Sequence, residues 1–516
     1  MAFDAATSGP TATVESVDVL VIGTGFAGLG MAIKLKEAGM RDFVVLERDT
    51  GVAGTWRANH YPGCACDVQS HLYSFSFAPN PEWTRAFAPQ PEIRRYLEGC
   101  AERYELLPWV RFGHEVTKMR WEEGAARWLV STRNGARFSA RAVVSGMGGL
   151  SNPAIPEIDG AADFAGETFH SATWRHDVDL RGKRVAVIGT GASAIQFVPQ
   201  IVPEVEHLDL YQRSAAWIMP KPDRAITGIE RAIFRRFPLL QKAQRAALYA
   251  RLESRALAFI AEPRLLKLVR ALAKLHLRRQ VPNPELRAKL TPDYEIGCKR
   301  VLISDDYYPA LTLPNVDVVT DGVTRITRDG VVTADGCERP ADVIIYGTGF
   351  KAQDPVPPDT IIGRDGRDIT EGWAERGPQA YYGTTMAGFP NLFFIVGPNT
   401  GLGHNSMVYM IETQIGYIMD CLRTMRRDEL AAIEPRAEAQ QRFNEWVDAS
   451  HARGTAWSTG CTSWYIHPQS GRNTTLWPGF TFAYRAAMRR MKRHDYHLLP
   501  VEAREQAGEP VDSRSL

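Results

Sequence analysis

The feature that most constrains the fold of this chain is a glycine fingerprint that occurs twice. Residues 23–28 read GTGFAG and residues 189–194 read GTGASA. Each copy follows a short apolar run rich in β-branched residues and precedes apolar residues at helical spacing. Such a turn lets the backbone approach a pyrophosphate, and the amino end of the helix faces the phosphates. The sequence therefore predicts an α/β chain with two Rossmann-like dinucleotide-binding domains.

The first copy has all the parts of a β-turn-α-β unit. An apolar run leads into the turn, a helical pattern follows it, and a second apolar run ends in Glu47. Gly23 permits the tight turn, Gly25 lets the backbone approach the phosphates, and Gly28 lets the helix pack on the strand. A carboxylate at the position of Glu47 accepts hydrogen bonds from ribose hydroxyls. We expect this unit to bind FAD.

The second copy differs where its second strand ends. Arg213 stands there, at the position that Glu47 has after the first copy. An arginine suits a 2′-phosphate, so we expect this unit to bind NADPH and to pass a hydride to the flavin. The alternative for Arg213 is a surface charge. The other residues of this copy that are predicted to contact NADPH are Gly189, Thr190, Gly191 and Ser193.

Composition narrows the class of protein further. The chain has 516 residues, and 44% of them are hydrophobic. This length exceeds that of a domain with a single hydrophobic core, so the sequence predicts two or more domains. A net charge of +2 argues against a nucleic-acid binder, and no apolar run is long enough for a membrane span. The first residues lack the order of a signal peptide, and the seven cysteines are scattered. We expect a reduced, cytoplasmic protein without a metal site.

The order of the patterns predicts how the domains alternate along the chain. A strand and a third glycine pair within 341–350 are expected to return the chain to the FAD domain. Residues 229–280 show helical spacing with many basic residues; the alternatives for this insertion are a solvated face, a membrane-surface helix or a lid over the domain mouth. The predicted segments are 1–151 (FAD domain), 152–222 (NADP domain), 223–292 (helical insertion), 293–341 (NADP domain) and 342–516 (FAD domain and tail).

Three further motifs resemble those of the Baeyer–Villiger monooxygenase family. Residues 164–174 read FAGETFHSATW and match F-x-G-x-x-x-H-x-x-x-W; Arg175 follows where the family usually has Pro or Asp. Related amine and sulfide monooxygenases have Tyr in place of Trp174. Residues 53–67 (AGTWRANHYPGCACD) and 297–308 (GCKRVLISDDYY) resemble the family's flavin-wrapping and active-site arginine segments.

The resemblance implies a reaction and roles for particular residues. NADPH reduces FAD, oxygen adds to give a flavin peroxide, and one oxygen atom enters next to a ketone carbonyl to form an ester or lactone. Arg300 would stabilise the negative charge that develops, and Asp67 would hold Arg300. From the residues alone, two alternatives remain possible: Arg300 forms a surface ion pair, and Asp67 caps a turn. The resemblance also implies FAD contacts by Gly54, Thr55, Trp56, Asp67, Tyr73, Val116 and Met407, and NADP contacts by Lys299 and Trp464.

Other functions fit parts of the pattern. Sulfide or amine oxygenation is the closest alternative, so the substrate partners are a ketone or sulfide and molecular oxygen. A flavin disulfide reductase would need a redox cysteine pair after the first unit, but Trp56 lies in that region and the Cys64 and Cys66 spacing is wrong. A non-catalytic nucleotide sensor would need the fingerprints without Arg300 and Asp67. Ketone-dependent consumption of NADPH separates these possibilities.

Overall fold

The computed structural model describes residues 13–150, 152–351, 356–453, 455–458 and 462–501. The predicted C-terminal tail after Val501 lies outside these ranges. The strands are β1 (Val14–Ile22), β2 (Phe43–Leu46), β3 (Val110–Arg111), β4 (Val116–Glu122), β5 (Arg127–Thr132), β6 (Arg137–Ser145), β7 (Glu167–His170), β8 (Arg184–Ile188), β9 (His207–Tyr211), β10 (Ile218–Met219), β11 (Leu302–Ile303), β12 (Val316–Val319), β13 (Val323–Ile326), β14 (Gly330–Thr333), β15 (Glu338–Pro340), β16 (Val343–Tyr346), β17 (Ile361–Ile362), β18 (Leu392–Phe394), β19 (Leu430–Pro435) and β20 (Tyr496–Pro500).

Helices fill the connections between these strands. They are α1 (Phe26–Glu37), α2 (Thr55–Ala58), α3 (Gln90–Arg103), α4 (Ala194–Ile201), α5 (Gly228–Arg236), α6 (Pro238–Ala256), α7 (Leu266–Gln280), α8 (Pro284–Lys289), α9 (Tyr307–Leu311), α10 (Ile369–Arg376), α11 (Met407–Arg427), α12 (Ala437–Ala452) and α13 (Thr481–Ala487). A π-helical stretch, Leu257–Ala261, continues α6. In the described part of the chain, no helix is both long and apolar enough to cross a bilayer.

The first sheet holds the first fingerprint at its centre. Its order is β17-β4-β5-β6-β1-β2-β3, and β18 also pairs with β6. β1 lies between β2 and β6 and is parallel to both. The turn after β1 therefore opens at the carboxyl edge of the sheet, where α/β sheets bind ligands. The long antiparallel ladder of β4, β5 and β6 extends this sheet away from the fingerprint.

The second sheet is fully parallel, with the order β12-β9-β8-β16-β7. β8 carries the second fingerprint at its carboxyl end, between β9 and β16. Together the two sheets confirm the predicted α/β class with two Rossmann-like domains. The motif segment beginning at Phe164 supplies β7, which pairs with β16 at the edge of this sheet.

The position of β16 corrects one predicted boundary. We expected the chain to return to the FAD domain after residue 341, but β16 pairs with β7 and β8, so the second sheet includes residues through Tyr346. The chain rejoins the first sheet at β17, which pairs with β4. A buried parallel strand has the same apolar pattern in either sheet, so the sequence did not distinguish the two positions.

The segment predicted as the helical insertion, 223–292, contains α5, α6, α7 and α8. Its longest helix, α6, is held against the first domain by Arg245, whose guanidinium is largely buried. Arg245 Nη1 donates to the carbonyl oxygens of His71 (2.9 Å), Leu72 (3.0 Å) and Ser74 (2.8 Å). Gln241 adds a bond to the carbonyl of Asn80 at 2.7 Å.

Candidate active site

The first glycine turn has the shape that a pyrophosphate needs. A Cβ built on Gly28 would lie 1.7 Å from the carbonyl oxygen of Gly23, so only glycine allows α1 to pack this closely on β1. A Cβ on Gly25 would meet only Gly54, at 3.9 Å, so this backbone faces open space. Among the described residues, no side chain caps the amino end of α1. These features fit the phosphates of a bound dinucleotide.

Glu47 lies where the sequence places it, at the end of β2 beside the turn. Its Oε2 accepts hydrogen bonds from the amide (2.9 Å) and the hydroxyl (2.6 Å) of Thr24, and its Oε1 accepts one from the amide of Asp49 (2.9 Å). The side chain is buried. A carboxylate fixed in this way has lone pairs left for a ribose hydroxyl, which fits the FAD role.

The second turn brings two cations together. Thr190 Oγ1 donates to the carbonyl oxygen of Ser214 at 3.1 Å, and Lys299 Nζ donates to the hydroxyl of Ser214 at 2.9 Å. Burial and the charge of Arg213 lower the pKa of Lys299. Arg213 is exposed at the end of β9. Two neighbouring cations beside a glycine turn fit the 2′-phosphate of NADPH.

Arg300 and Asp67 form an ion pair between the two domains. Arg300 Nη2 and Nε donate to the same carboxylate oxygen of Asp67, at 2.5 and 3.0 Å. The Asp67 charge raises the pKa of Arg300 above its ordinary value, so the guanidinium stays charged at every working pH. Both side chains are about one third exposed, at 31% and 35%. The charge is therefore fixed in place and still accessible to a ligand.

Backbone from two other segments positions Arg300. Gly297 has φ +98°, and a Cβ on it would lie 2.8 Å from Ala456 and 3.1 Å from the ring of Phe259. Glycine thus lets the loop before Arg300 pass close to the insertion and the C-terminal segment. The guanidinium also donates to the carbonyl oxygen of Leu402 at 3.3 Å, which ties it to the glycine-rich loop after β18.

An aromatic cluster adjoins the guanidinium. Burial raises the pKa of the Tyr465 hydroxyl, and the charge of Arg300 opposes this shift. Within the described ranges, this buried hydroxyl has no hydrogen-bond partner. Tyr465 packs in one core cluster with Trp217, Phe259 and Trp457. Tyr465 lies next to Trp464, for which we predicted an NADP contact.

The flavin-wrapping segment also docks on the second domain. Gln196, in the first turn of α4, accepts hydrogen bonds from the Tyr61 hydroxyl (3.0 Å) and the Ala65 amide (3.3 Å). Its side-chain amide donates to the carbonyl of Ala65 at 3.0 Å. A Cβ on Gly63 would lie 2.5 Å from the Gln196 carbonyl oxygen. Gln196 was not predicted, because nothing in the neighbouring sequence marks it as an interface residue.

A buried carboxylate of the insertion contacts the glycine-rich loop after β18. Glu253, on α6, accepts hydrogen bonds from the amide (2.6 Å) and hydroxyl (2.8 Å) of Thr481 and from the Asn405 side chain (2.6 Å). His404 Nε2 lies 3.5 Å from the same carboxylate. Burial opposes ionisation, but these contacts with His404, Thr481 and Asn405 hold the pKa of Glu253 below its ordinary value. Glu253 is one of few acids in a basic segment, which is the signal that could have identified it.

The remaining predicted residues take different positions around the FAD side. Trp56 Nε1 donates to the Tyr73 hydroxyl at 3.2 Å, and Thr55 begins the short helix α2 beside Gly54. Met407 begins α11. Val116 begins β4 and packs partly buried against the second core cluster, and Trp464 is 42% exposed beside Tyr465.

His170 lies in the protein interior. Its Nδ1 accepts a hydrogen bond from the amide of Ala172 at 3.1 Å, and burial lowers its pKa. Trp174 packs edge-on against Phe169 with ring centroids 5.2 Å apart. His170 is therefore a buried histidine at the end of β7 whose contacts indicate a structural role.

Two findings concern cysteines and metal-ligating residues. Cys298 is disulfide-bonded, so the expectation of a fully reduced chain is wrong at this position. A group of His207, Asp209 and Asp317 has ligand types suited to a metal, but Arg339 donates to both carboxylates, at 3.1 and 3.4 Å.

Comparison with known proteins agrees with this geometry. Residues 20–247 match the family model described as pyridine nucleotide-disulphide oxidoreductase. The chain is 56% identical to a Baeyer–Villiger monooxygenase of Pseudomonas aeruginosa, over 96% of this chain and 95% of that protein. It is 50% identical to one of Streptomyces coelicolor, over 94% and 93%. It is similar to the crystal structure of cyclohexanone monooxygenase from Rhodococcus sp. Phi1 bound to NADP+, with TM-score 0.84 and 29% identity, over 95% of this chain and 100% of that chain.

The fold and the paired turns define a flavin-dependent oxidoreductase with two dinucleotide sites. At the level of relatedness found, the chain belongs to the Baeyer–Villiger monooxygenase family. The family predicted from three motifs is thereby confirmed, and with it an FAD-containing, NADPH-dependent monooxygenase.

Proposed function

We propose that this enzyme inserts one oxygen atom of O₂ next to a ketone carbonyl, with Arg300 and Asp67 at the reacting centre. The balance is ketone, O₂, NADPH and a proton giving ester or lactone, NADP⁺ and water. The observation that carries the proposal is the charged Arg300–Asp67 pair between the two dinucleotide turns. Bound FAD supplies the hydride acceptor and the centre that activates oxygen.

The two turns would bind the cofactors with different residues. Glu47 accepts from the FAD ribose, and the open backbone at Gly25 approaches the pyrophosphate. Arg213 and Lys299 bind the 2′-phosphate of NADPH, which disfavours NADH because it would leave two neighbouring cations without an anion. The Gln196 contacts to Tyr61 and Ala65 support a fixed approach of one cofactor to the other.

Arg300 would act on the oxygen of the substrate carbonyl. Negative charge develops on this oxygen when the carbonyl carbon is attacked, and a guanidinium that is already in place stabilises it without reorganisation. Asp67 orients the guanidinium by taking both of its near N–H groups on one oxygen. Arg300 does not move a proton in this scheme, because it stays charged.

The cluster of Trp217, Phe259, Trp457 and Tyr465 beside Arg300 favours an apolar ketone. All four are buried aromatic side chains, and Phe259 lies in the π-helical end of α6. The substrate class we propose is therefore lipophilic ketones rather than small polar ones.

Product analysis tests the proposal. The purified yellow enzyme is supplied with NADPH and a panel of cyclic, aromatic and long-chain ketones, with matched sulfides in parallel. Mass spectrometry should find products heavier by one oxygen atom and carrying an ester or lactone group. Formation of sulfoxides alone, with no ketone oxidised, would replace ketone oxygenation by the sulfide alternative.

A further inference from the structure

The insertion has an exposed apolar stripe that begins at Leu265, the residue just before α7, and continues along that helix. Leu265, Leu268, Leu272 and Leu275 are 46%, 63%, 45% and 42% exposed. Spacings of three and four residues place all four on one side of the helix. The helical spacing of the insertion does not by itself show which of its apolar positions are covered, and these four are not. Leucines in such a row differ from the scattered apolar residues of an ordinary surface.

The opposite side of α7 explains why the helix keeps this orientation. Leu266, Ala273 and Leu277 are buried, and His276 Nε2 lies 2.9 Å from the carbonyl oxygen of Ser304. The helix is thus anchored through one side to the NADP domain, and the leucine stripe points away from that anchor. The stripe is a stable part of the folded surface.

Basic residues border the stripe. Lys267, Lys274 and Arg278 are exposed on the side of the helix that follows the stripe. Of the neighbouring arginines, Arg264 and Arg270 pair with glutamates, but in the described part of the chain no acidic partner is paired with these three. Around the circumference of α7, the buried side that anchors the helix is therefore followed by the leucine stripe and then by these three cations.

The charge of the whole insertion is strongly unbalanced. Residues 228–280 contain thirteen lysines and arginines and three glutamates, a net charge of +10, whereas the whole chain carries +2. The rest of the chain therefore carries −8. Such an asymmetry favours a negatively charged partner.

We propose that α7 binds the surface of an anionic phospholipid membrane, with the leucine stripe among the acyl chains and the three cations at the phosphates. An amphipathic helix with leucines on one side and Lys and Arg beside them is the chemistry that binds such a surface. A second copy of this chain does not fit the face, because pairing two identical faces would bring like charges together. The proposal concerns binding and is independent of the proposed reaction.

Vesicle binding by the full-length, FAD-loaded enzyme tests the inference. Co-flotation should occur with vesicles of phosphatidylcholine plus phosphatidylglycerol and should fall at least about tenfold with phosphatidylcholine alone or at high salt. The double variant Leu268→Ser, Leu272→Ser should also bind at least about tenfold less. The variant Lys267→Gln, Lys274→Gln, Arg278→Gln should lose the preference for phosphatidylglycerol.

A matched control uses leucines of similar exposure elsewhere. Leu107 and Leu313 are 46% and 41% exposed, and Leu107→Ser, Leu313→Ser should bind vesicles as the unchanged enzyme does. Retained flavin absorbance and ketone-dependent NADPH oxidation show that all variants are folded. The proposal is overturned if the unchanged enzyme does not float with anionic vesicles, or if the α7 leucine variant floats equally well. A dimer that the α7 variant converts to monomer, without vesicle binding, would instead assign the stripe to a protein interface.

Discussion

The guanidinium of Arg300 is held by one carboxylate and one carbonyl, and neither belongs to its own domain segment. Asp67 fixes two of its N–H groups, and Leu402 accepts from a third. Lysine carries a similar charge but lacks the planar fork that meets these acceptors together. This geometry distinguishes a positioned cation from an ordinary surface ion pair.

Arg300→Ala should separate the two half-reactions. NADPH oxidation should continue, because hydride transfer needs no cation at the ketone, but ester formation should fall about a hundred- to a thousandfold. The consumed oxygen should appear as hydrogen peroxide. Arg300→Lys should recover only part of the yield, and Asp67→Ala should shift it in the same direction as Arg300→Ala. The ratio of ester to NADPH consumed is the measurement, and a normal ratio in Arg300→Ala would exclude Arg300 from the chemistry.

Lys299 should make coenzyme use depend on pH. Burial and Arg213 lower its pKa, so it loses its proton at a lower pH than an ordinary lysine and then no longer attracts the 2′-phosphate. The KM for NADPH should therefore rise as the pH increases through this pKa, whereas the KM for NADH should not. Lys299→Arg should remove the dependence, since arginine stays charged. Parallel pH profiles for the two coenzymes would contradict this assignment.

Arg213→Ala should change coenzyme choice at neutral pH. Loss of one charge-assisted contact to a phosphate should raise the KM for NADPH about tenfold or more. The KM for NADH should change little, because NADH has no 2′-phosphate. Steady-state kinetics with both coenzymes measure this. Equal use of both by the unchanged enzyme would show that Arg213 is only a surface charge.

Among the elements, α6 is joined to the rest of the molecule by polar contacts of Arg245 and Glu253 as well as by apolar packing of Leu248 and Leu252. Arg245 binds three carbonyl oxygens near the first domain, and Glu253 binds the loop at Asn405 and the start of α13. The same loop carries the Leu402 carbonyl that accepts from Arg300. We therefore expect a change in the packing of α6 to move this loop and so to alter the position of the Arg300 guanidinium.

Glu253→Ala should loosen this element by about 2 kcal/mol, because buried donors of Thr481 and Asn405 lose a charged acceptor. Hydrogen exchange should increase in α6 and in the loop before Met407, and ester yield per NADPH should fall. Glu262→Ala is the matched control, since that side chain is 51% exposed and lies 3.9 Å from its arginine partner. Equal exchange in both variants would show that Glu253 does not hold the insertion.

The Glu253 contribution should also depend on pH. Its pKa is lowered in the fold, so its stabilising effect is complete above the ordinary value of 4.5 and is lost as the pH falls through the lowered pKa. Glu253→Gln does not titrate and should lack this acid-dependent loss. Thermal unfolding of both proteins at neutral and acidic pH measures the difference.

At the scale of the whole molecule, catalysis requires that the nicotinamide of one domain reaches the flavin of the other. Gln196 links the two by three hydrogen bonds to Tyr61 and Ala65. The two domains also share one large apolar core, in which side chains of both sheets and of α6 take part. The interface between the two domains is therefore partly apolar, and the hydrogen bonds of Gln196 fix how the two domains are placed relative to each other.

Gln196→Ala should slow flavin reduction about tenfold or more, because a small displacement of the two rings is costly for hydride transfer. FAD content should stay normal, since Gln196 lies outside the first turn. Anaerobic stopped-flow bleaching of the flavin by NADPH is the measurement. The exposed Gln244→Ala on α6 serves as control, and an unchanged reduction rate in Gln196→Ala would show that the bridge does not position the cofactors.

The sequence by itself determined the parts of this protein that are encoded locally. Glycine spacing requires a tight turn and close helix packing, and Glu47 and Arg213 follow their turns at fixed distances, so both dinucleotide units were predictable. The family followed from motifs of the same local kind. These features depend on backbone geometry over a few neighbouring residues.

Only the tertiary structure decided which distant residues meet. Arg300 and Asp67 are separated by 233 positions, and Glu253 and Thr481 by 228. The sheet to which β16 belongs, the bridge at Gln196 and the exposure of the leucine stripe on α7 depend equally on packing between remote segments. An apolar or charged residue has the same neighbours in sequence whether it is buried or exposed. Its contacts in the folded protein depend on segments that are remote in sequence.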